Sequence, residues 1–196
     1  MLTLLRPAAV LLACATLLTG LLYPLVVTGL AQAVFPAEAN GSLILAAPGR
    51  VEASALIGRP SERDRDFWSR PSATSPHPYN GAASSGSNLG PSNPALVEAV
   101  RGRVEALRAA HPERAGDPIP VDLVTTSGSG LDPHISPAAA AFQIARVARA
   151  RGLSEETVRG LVDAHTEGRM LGLFGAPRVH VLRLNRALDA LPPGGA

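Results

Sequence analysis

The chain has 196 residues, 46% apolar, 17% charged and 4% aromatic, with a formal net charge of +2; that length suits one domain, or one domain plus a membrane anchor. All 18 basic residues are arginine, and Cys14 is the single cysteine. A phosphate-loop lysine, a Schiff-base lysine, intrachain disulfides and zinc sites with two or more thiolates are therefore excluded, and no polybasic cluster marks nucleic acid as a partner.

Residues 1–7 form a short amino-terminal segment, and no charge falls between Arg6 and Glu38. Residues 8–30 would make about 34 Å of helix at about 1.5 Å per residue. That is enough to cross a hydrocarbon core about 30 Å thick, with some tilt. A cleaved signal peptide is the competing reading, because Arg6 supplies a positive amino-terminal region and Ala31-Gln32-Ala33 is an A-x-A-like tripeptide. Signal apolar regions run only about 7–15 residues, however, so a retained transmembrane helix is predicted. The positive-inside rule then places residues 1–7 in the cytoplasm and residues 31–196 outside it. Ala9, Ala13, Thr16 and Gly20 fall at helical spacing on one face, where small side chains let a neighbouring helix approach. Such residues are also simply common in membrane helices. Pro24 is expected to bend the outer part of the span.

Beyond the span, Ser42–Leu45 and Val51–Ile57 read as strands joined by a Pro48-Gly49 turn. Arg59–Arg70 alternates arginine with Glu62, Asp64 and Asp66, and reads as a self-neutralising surface segment anchored at its end by Phe67-Trp68. Of the 24 residues Pro71–Pro94, 17 are Pro, Ser, Gly or Asn. Composition alone makes that stretch a flexible linker. The alternative is a long ordered loop held by anchors such as Tyr79 and Leu89, and such loops are usually functional.

Asn93 and Pro94 predict a helix start, with Leu96, Val100, Val104 and Leu107 as its apolar stripe and His111-Pro112 as its end. Val121–Val124 reads as a strand entering the polar turn Thr125–Gly130. Ser136-Pro137 opens a second helix ended by Gly152, with Phe142, Ile144, Ala145, Val147 and Ala148 on its buried side. Ser154 caps a third helix reaching about His165, with Glu155 and Glu156 in its first turn. Val179–Leu184 reads as a strand, followed by a short helix to Leu191. The fold class predicted is one N-terminal transmembrane helix plus a mixed α/β (α+β) extracytoplasmic domain.

Two sharp chemistries can be drawn from Ser127-Gly128-Ser129-Gly130. An anion cradle is one, but the dinucleotide fingerprint fails where Pro133 replaces the third glycine, and Asp132 adds a negative charge. A serine hydrolase using Ser127 or Ser129 with Asp132 and a histidine is the other, although no G-x-S-x-G surrounds any candidate serine. A structural turn, with Asp132 and His134 in local hydrogen bonds, carries most weight. His77, His111, His134, His165 and His180 show no H-x-x-x-H spacing. His165 reads as a helix C-terminal cap, and Gln143 as a partly buried, hydrogen-bonded amide.

Several long strings are distinctive in their order: Thr16–Pro24, Phe67–Ser72, Tyr79-Asn80, Ser85–Pro91, Val124–Ser136 and His165–Glu167. Together they resemble the C chain of the Kdp potassium-transporting ATPase family over nearly the whole length. The main departure is His180, where relatives often carry Asn, and it puts nothing functional in doubt. The resemblance implies a non-catalytic subunit of a bacterial inner-membrane complex that takes up potassium using ATP. Its partners would be a channel-like potassium-binding subunit, a P-type ATPase subunit and a small single-span peptide, with membrane lipid around the span. ATP and potassium would be handled by the complex, with no cofactor or metal bound by this chain. The family's C chain is held to assist assembly and to raise ATP affinity in the ATPase subunit. Candidate partner-facing residues are Ala13, Thr16, Gly20 and Pro24 in the span, and Tyr79, Asn80, Ser87, Asn88, Ser127, Ser129, Asp132, His134 and Gln143 in the domain. The rival classes are a membrane-anchored extracytoplasmic hydrolase and a free-standing binding protein.

Overall fold

A computed structural model describes residues 2–47 and 49–191. It divides after Ser54 into two compact units. The first unit opens with helix α1 (Leu2–Leu17), a π-helical turn (Leu18–Leu22) and helix α2 (Tyr23–Val34). Together they hold one helix long and apolar enough to cross a membrane, the 32 residues Thr3–Val34, with mean hydropathy 2.3. It outruns the predicted 8–30 at both ends.

The expected bend at Pro24 takes the form of this widened turn. Proline has no N–H and its ring crowds the carbonyl four residues back, so regular α-helical bonding into Pro24 is lost. The Tyr23 N–H reaches to the Leu18 carbonyl instead, five residues back. The Thr19 hydroxyl donates to the Ala15 carbonyl at 2.7 Å, a bond that needs no water. Ala9, Ala13 and Thr16 lie in regular α-helix, but Gly20 falls within the wide turn, where the four-residue register is broken.

A one-turn helix, α3 (Pro36–Ala39), leads into an antiparallel hairpin of β1 (Leu43–Ala47) and β2 (Arg50–Ser54). The predicted hairpin forms, though β2 ends at Ser54 rather than Ile57. Gly49 supplies the left-handed turn residue, with φ +78°, while Pro48 lies outside the described residues.

The second unit comprises α4 (Pro94–Ala110), α5 (Val121–Val124), β3 (His134–Ile135), α6 (Pro137–Arg151), α7 (Glu155–Ala164), β4 (Thr166–Glu167), β5 (Arg178–His180) and α8 (Val181–Asp189). The strands form a small antiparallel sheet in the order β3-β5-β4. Its caps follow the sequence signals. Asn93, Ser136 and Ser154 accept from the N–H groups of Ala95, Ala139 and Thr157, and Gly152 ends α6 in the left-handed region.

Two predicted strands prove otherwise. Val121–Val124 is a single helical turn, closed by the Thr125 N–H on the Val121 carbonyl at 2.9 Å. Its Asp122 carboxylate accepts from the Ser136 N–H at 2.7 Å, tying the turn to the start of α6. Val179–Leu184 is strand only through His180, whose side chain caps α8 by accepting from the Arg183 N–H. A local cap therefore overrides the β-propensity of the valines and leucines.

The core gathers Phe67, Leu107, Ile135, Phe142, Ile144, Val147, Val158, Val179, Leu184 and Leu188 around α6. Ala139 and Ala140 join it, whereas Ala145 is only half-buried.

Within this core sits a charge. Arg146, on α6, is 1% exposed. All five of its N–H donors are used: to His111 Nε2 at 3.0 Å, to the carbonyls of Arg63, Asp64 and Asp66, and to Gln143 Oε1 at 2.8 Å. Its guanidinium also lies 4.3 Å from the Trp68 ring centroid. Burial lowers its pKa from 12.5 to about 10, so it stays charged at neutral pH.

Residues 59–65 keep the expected surface character, being mostly exposed, but the segment turns inward at Asp66. Asp66 is 2% exposed and bonds to Ser61, Arg63 and Arg151. The next two peptides are bracketed by amide side chains. Asn185 on α8 accepts from the Phe67 N–H and donates to its carbonyl, and Gln143 on α6 does the same for Trp68. Phe67 does anchor the segment, at 0% exposed. Replacing Arg146 by alanine leaves its buried acceptors without donors and should cost about 3–5 kcal/mol of stability. Arg146→Lys should recover only part of that, because a lysine cannot meet five acceptors or stack on the indole. Denaturant unfolding followed by the fluorescence of Trp68, the single tryptophan, measures both.

Candidate functional site

The Pro71–Pro94 stretch is an ordered loop, fastened to the turn that precedes β3. Ser72 Oγ donates to the Gly130 carbonyl at 2.7 Å, and the Ser85 N–H donates to the Ser129 carbonyl at 2.9 Å. Ser84 Oγ reaches the same Ser129 oxygen at 3.1 Å. Within the loop, Thr74 Oγ1 donates to the His77 carbonyl and accepts from the Asn80 N–H. The Tyr79 hydroxyl donates to the Arg70 carbonyl. Burial pushes the Tyr79 phenol up to about 12, so it serves as a neutral donor. Leu89, the other expected anchor, is half-buried.

The glycines of this region are explained by packing. A β-carbon on Gly130 (φ +68°) would come within 2.6 Å of the Ser85 carbonyl oxygen and of Thr74 Cγ2. One on Gly86 would lie 2.9 Å from the Gly128 carbonyl oxygen, and one on Gly58 would lie 2.3 Å from the Tyr79 ring. Gly128 has nothing within 4 Å of that position. The loop and turn therefore need glycine where two backbones touch, and no phosphate is required to account for it.

Below the turn lies a cleft of about 600 Å³ lined by Arg70, Asp122, Asp132, His134, Ser136 and Arg178, among others. Asp132 accepts from the His134 N–H at 3.0 Å, pairs with its Nδ1 at 3.1 Å and meets Arg70 Nη1 at 3.3 Å. Burial alone would raise its pKa, but the bonds from His134 and the charge on Arg70 outweigh it and hold the carboxyl below its ordinary 3.8. The His134 and His180 rings meet edge to face, with centroids 5.0 Å apart. His180 Nε2 lies 2.9 Å from the Ala55 carbonyl oxygen. Burial lowers the His180 pKa, as does the same effect at His111 in the core.

These groups serve one another. Ser129 Oγ accepts from the Leu131 N–H at 3.1 Å, and His134 is committed to Asp132. Among the described residues no group of three His, Cys, Asp or Glu side chains is placed to hold a metal ion. The local bonding predicted for Asp132 and His134 is present.

The candidate partner-facing residues separate into three groups. Ala13, Thr16, Gly20 and Pro24 are all exposed along the apolar helix. Tyr79, Asn80, Ser87, Asn88, Ser129, Asp132 and His134 come together at the loop and turn, half-buried or exposed. Ser127 and Gln143, at 4% and 0% exposed, are buried, and Gln143 brackets the Trp68 peptide. His165 caps α7 as expected, with Nδ1 2.8 Å from the Leu161 carbonyl oxygen.

Sequence reasoning passed over two features. Arg146 was hidden in an arginine-rich helix end, and only the apolar residues flanking it hinted at burial. The Arg169–Gly175 turn carries Met170, Leu171, Leu173 and Phe174 at 68%, 87%, 70% and 55% exposure. Its signal was four large apolar residues crowded between glycines without helical or strand periodicity.

Residues 5–190 match the sequence model of a family described as K+-transporting ATPase, c chain. The potassium-transporting ATPase KdpC subunit of Sorangium cellulosum is 65% identical over 189 residues, covering 96% of this chain and 98% of the relative. The KdpC subunit of Polaromonas naphthalenivorans is 62% identical over 192 residues, covering 98% and 97%. That of Methylococcus capsulatus is 60% identical over 186 residues, covering 95% and 97%.

Gly130→Ala and Gly58→Ala should each loosen the loop and lower the thermal midpoint by several degrees, about 1–3 kcal/mol of overpacking and strain. Gly128→Ala should sit within about 0.5 kcal/mol of wild type; parallel melts compare the three. A pH dependence also follows. His111 and His180 have folded pKa values below the unfolded 6.5, so the unfolded chain takes up protons first. Their stabilising contribution is complete above about pH 6.5 and falls as pH drops from there toward the folded values. His180→Asn keeps an α8 cap without titrating, and should shrink the loss of melting temperature between pH 7.5 and 5.5.

Proposed function

The chain belongs to the K+-transporting ATPase C-chain family, and from that membership we propose that it is the membrane-anchored, non-catalytic subunit of an ATP-driven potassium uptake complex. The observation that carries the proposal is the match over residues 5–190, which takes in the apolar helix and the second unit alike. In this reading the helix is retained in the bacterial inner membrane, with residues 1–7 cytoplasmic and the domain outside. Its partners are a channel-like potassium-binding subunit, a P-type ATPase subunit and a small single-span peptide.

The role is assembly, together with raising the ATP affinity of the ATPase subunit. An extracytoplasmic domain meets no ATP, so the effect on nucleotide must pass through the membrane helix or the ion-carrying subunit. Linkage permits this, because two distant sites couple when both bias the same two-state element. The π turn before Pro24 suits such a helix, since such turns mark places where a helix departs from regular packing. The domain would sit over the outer mouth of the channel-like subunit. Asn88, exposed with φ +52°, belongs to the part of the Pro71–Pro94 loop free to meet it, whereas Ser84–Gly86 is fastened to the turn.

The hydrolase alternative is not favoured. The Asp132–His134 pair is occupied with Arg70 and its own backbone, and Ser129 with the Leu131 N–H.

A tagged chain solubilised in mild detergent should bring down the three partner chains, with ATP hydrolysis that responds to potassium. Omitting it should raise the ATP concentration needed for half-maximal hydrolysis. Protease added to intact spheroplasts should cleave the domain, and the mature chain should keep its residues before Val34. A chain that purifies alone, or whose domain is protected, overturns the reading.

A further inference from the structure

The Arg169–Gly175 turn joins β4 to β5 and displays apolar side chains on a backbone closed by its own hydrogen bonds. Met170 and Phe174 form a closed bridge, each N–H donating to the other's carbonyl at 2.9 Å. Inside it, the Gly172 N–H donates to the Arg169 carbonyl and the Leu173 N–H to the Met170 carbonyl. Leu171 is held at φ +55°, a conformation that costs a branched side chain about 1 kcal/mol or more, and it is also 87% exposed. Burial in this chain does not repay that strain, because Leu171, Leu173 and Phe174 all stand in water.

We propose that this turn is a docking finger that seats Leu171, Leu173 and Phe174 in an apolar socket on another subunit of the potassium-transporting ATPase. The inference rests on the preceding reading that the chain works inside a multisubunit complex. Preorganisation is what favours a protein socket. A fixed apolar tip loses little entropy on docking, which matters for a shaped pocket; a lipid surface accepts apolar groups in any arrangement and gives no reason to hold Leu171 at positive φ.

The surroundings have the anatomy of an interface, an apolar centre inside a charged rim. Arg169 is exposed beside the tip, and Arg178 and Arg183 share the single carboxylate of Glu167 at 2.9 and 3.6 Å. The rim is therefore net positive, and the socket it fits is apolar with an acidic edge.

The test uses the full chain, tagged and coexpressed with its complex. The combined variant Leu171→Ser, Leu173→Ser and Phe174→Ser should reduce recovery of partner subunits by about tenfold or more, as loss of central interface anchors does. The Trp68 unfolding curve should be unchanged, since all three side chains lie outside the core. A photo-crosslinking residue placed at position 173 should join the chain to a partner protein. Wild-type recovery by the variant, or crosslinks to lipid alone, would overturn the finger while leaving the subunit role intact. A wild-type chain that recovers no partner would instead overturn the subunit role and the finger with it. Should the variant unfold, the crosslink decides.

Discussion

A buried cation, Arg146, organises the second unit. A guanidinium removed from water is tolerable only if every donor finds an acceptor, and Arg146 has five donors to place. Three of the acceptors are consecutive-region carbonyls of residues 63–66, so an extended segment without regular secondary structure of its own must lie across α6. That course drops Phe67 into the core, sets Trp68 against the guanidinium and brings Asp66 to Arg151. His111 shares the constraint. Its Nε2 accepts from Arg146, so the proton sits on Nδ1 and points to the Leu107 carbonyl, and the ring must be neutral.

From that anchored segment the chain reaches Arg70 and the long loop. Arg70 meets Asp132 and the Thr126 carbonyl, and Tyr79 returns to the Arg70 carbonyl. The loop is thus held at its root by the same segment that Arg146 holds, and along its middle by contacts between glycine backbones. Its conformation depends on close approach, which a β-carbon at Gly130 or Gly58 would prevent. A Pro/Ser/Gly/Asn-rich composition can serve order as well as disorder, because small residues allow dense hydrogen bonding between chains that have no sheet to join.

These features suit a subunit that presents surfaces to partners. In the cleft Arg70 and Asp132 pair with each other, Asp122 is bonded to Ser136 and Arg178 to Glu167, while His165 and His180 cap helices. Among the parts left open are the exposed loop around Asn88, the apolar turn at residues 169–175 and the face of the long helix.

Local signals settled much of this protein in advance. The apolar helix, the caps at Asn93, Ser136 and Ser154 and the left-handed stop at Gly152 are legible because each depends on side chains within a few residues of one another. The motif strings likewise sufficed for family membership. Tertiary structure decided the rest. Val121–Val124 became a helical turn because Asp122 ties it to Ser136, and the run after Val179 turned helical because His180, held through Nε2 on the distant Ala55 carbonyl, caps it. The Arg59–Arg70 segment, patterned like a surface, stays at the surface through residue 65 and turns into the core only at Asp66 and Phe67, where the Asp66 carbonyl meets Arg146. No window of sequence contains both Asp66 and Arg146, or both Gly130 and Ser85, and the free energy of such contacts exists only once the chain has brought them together.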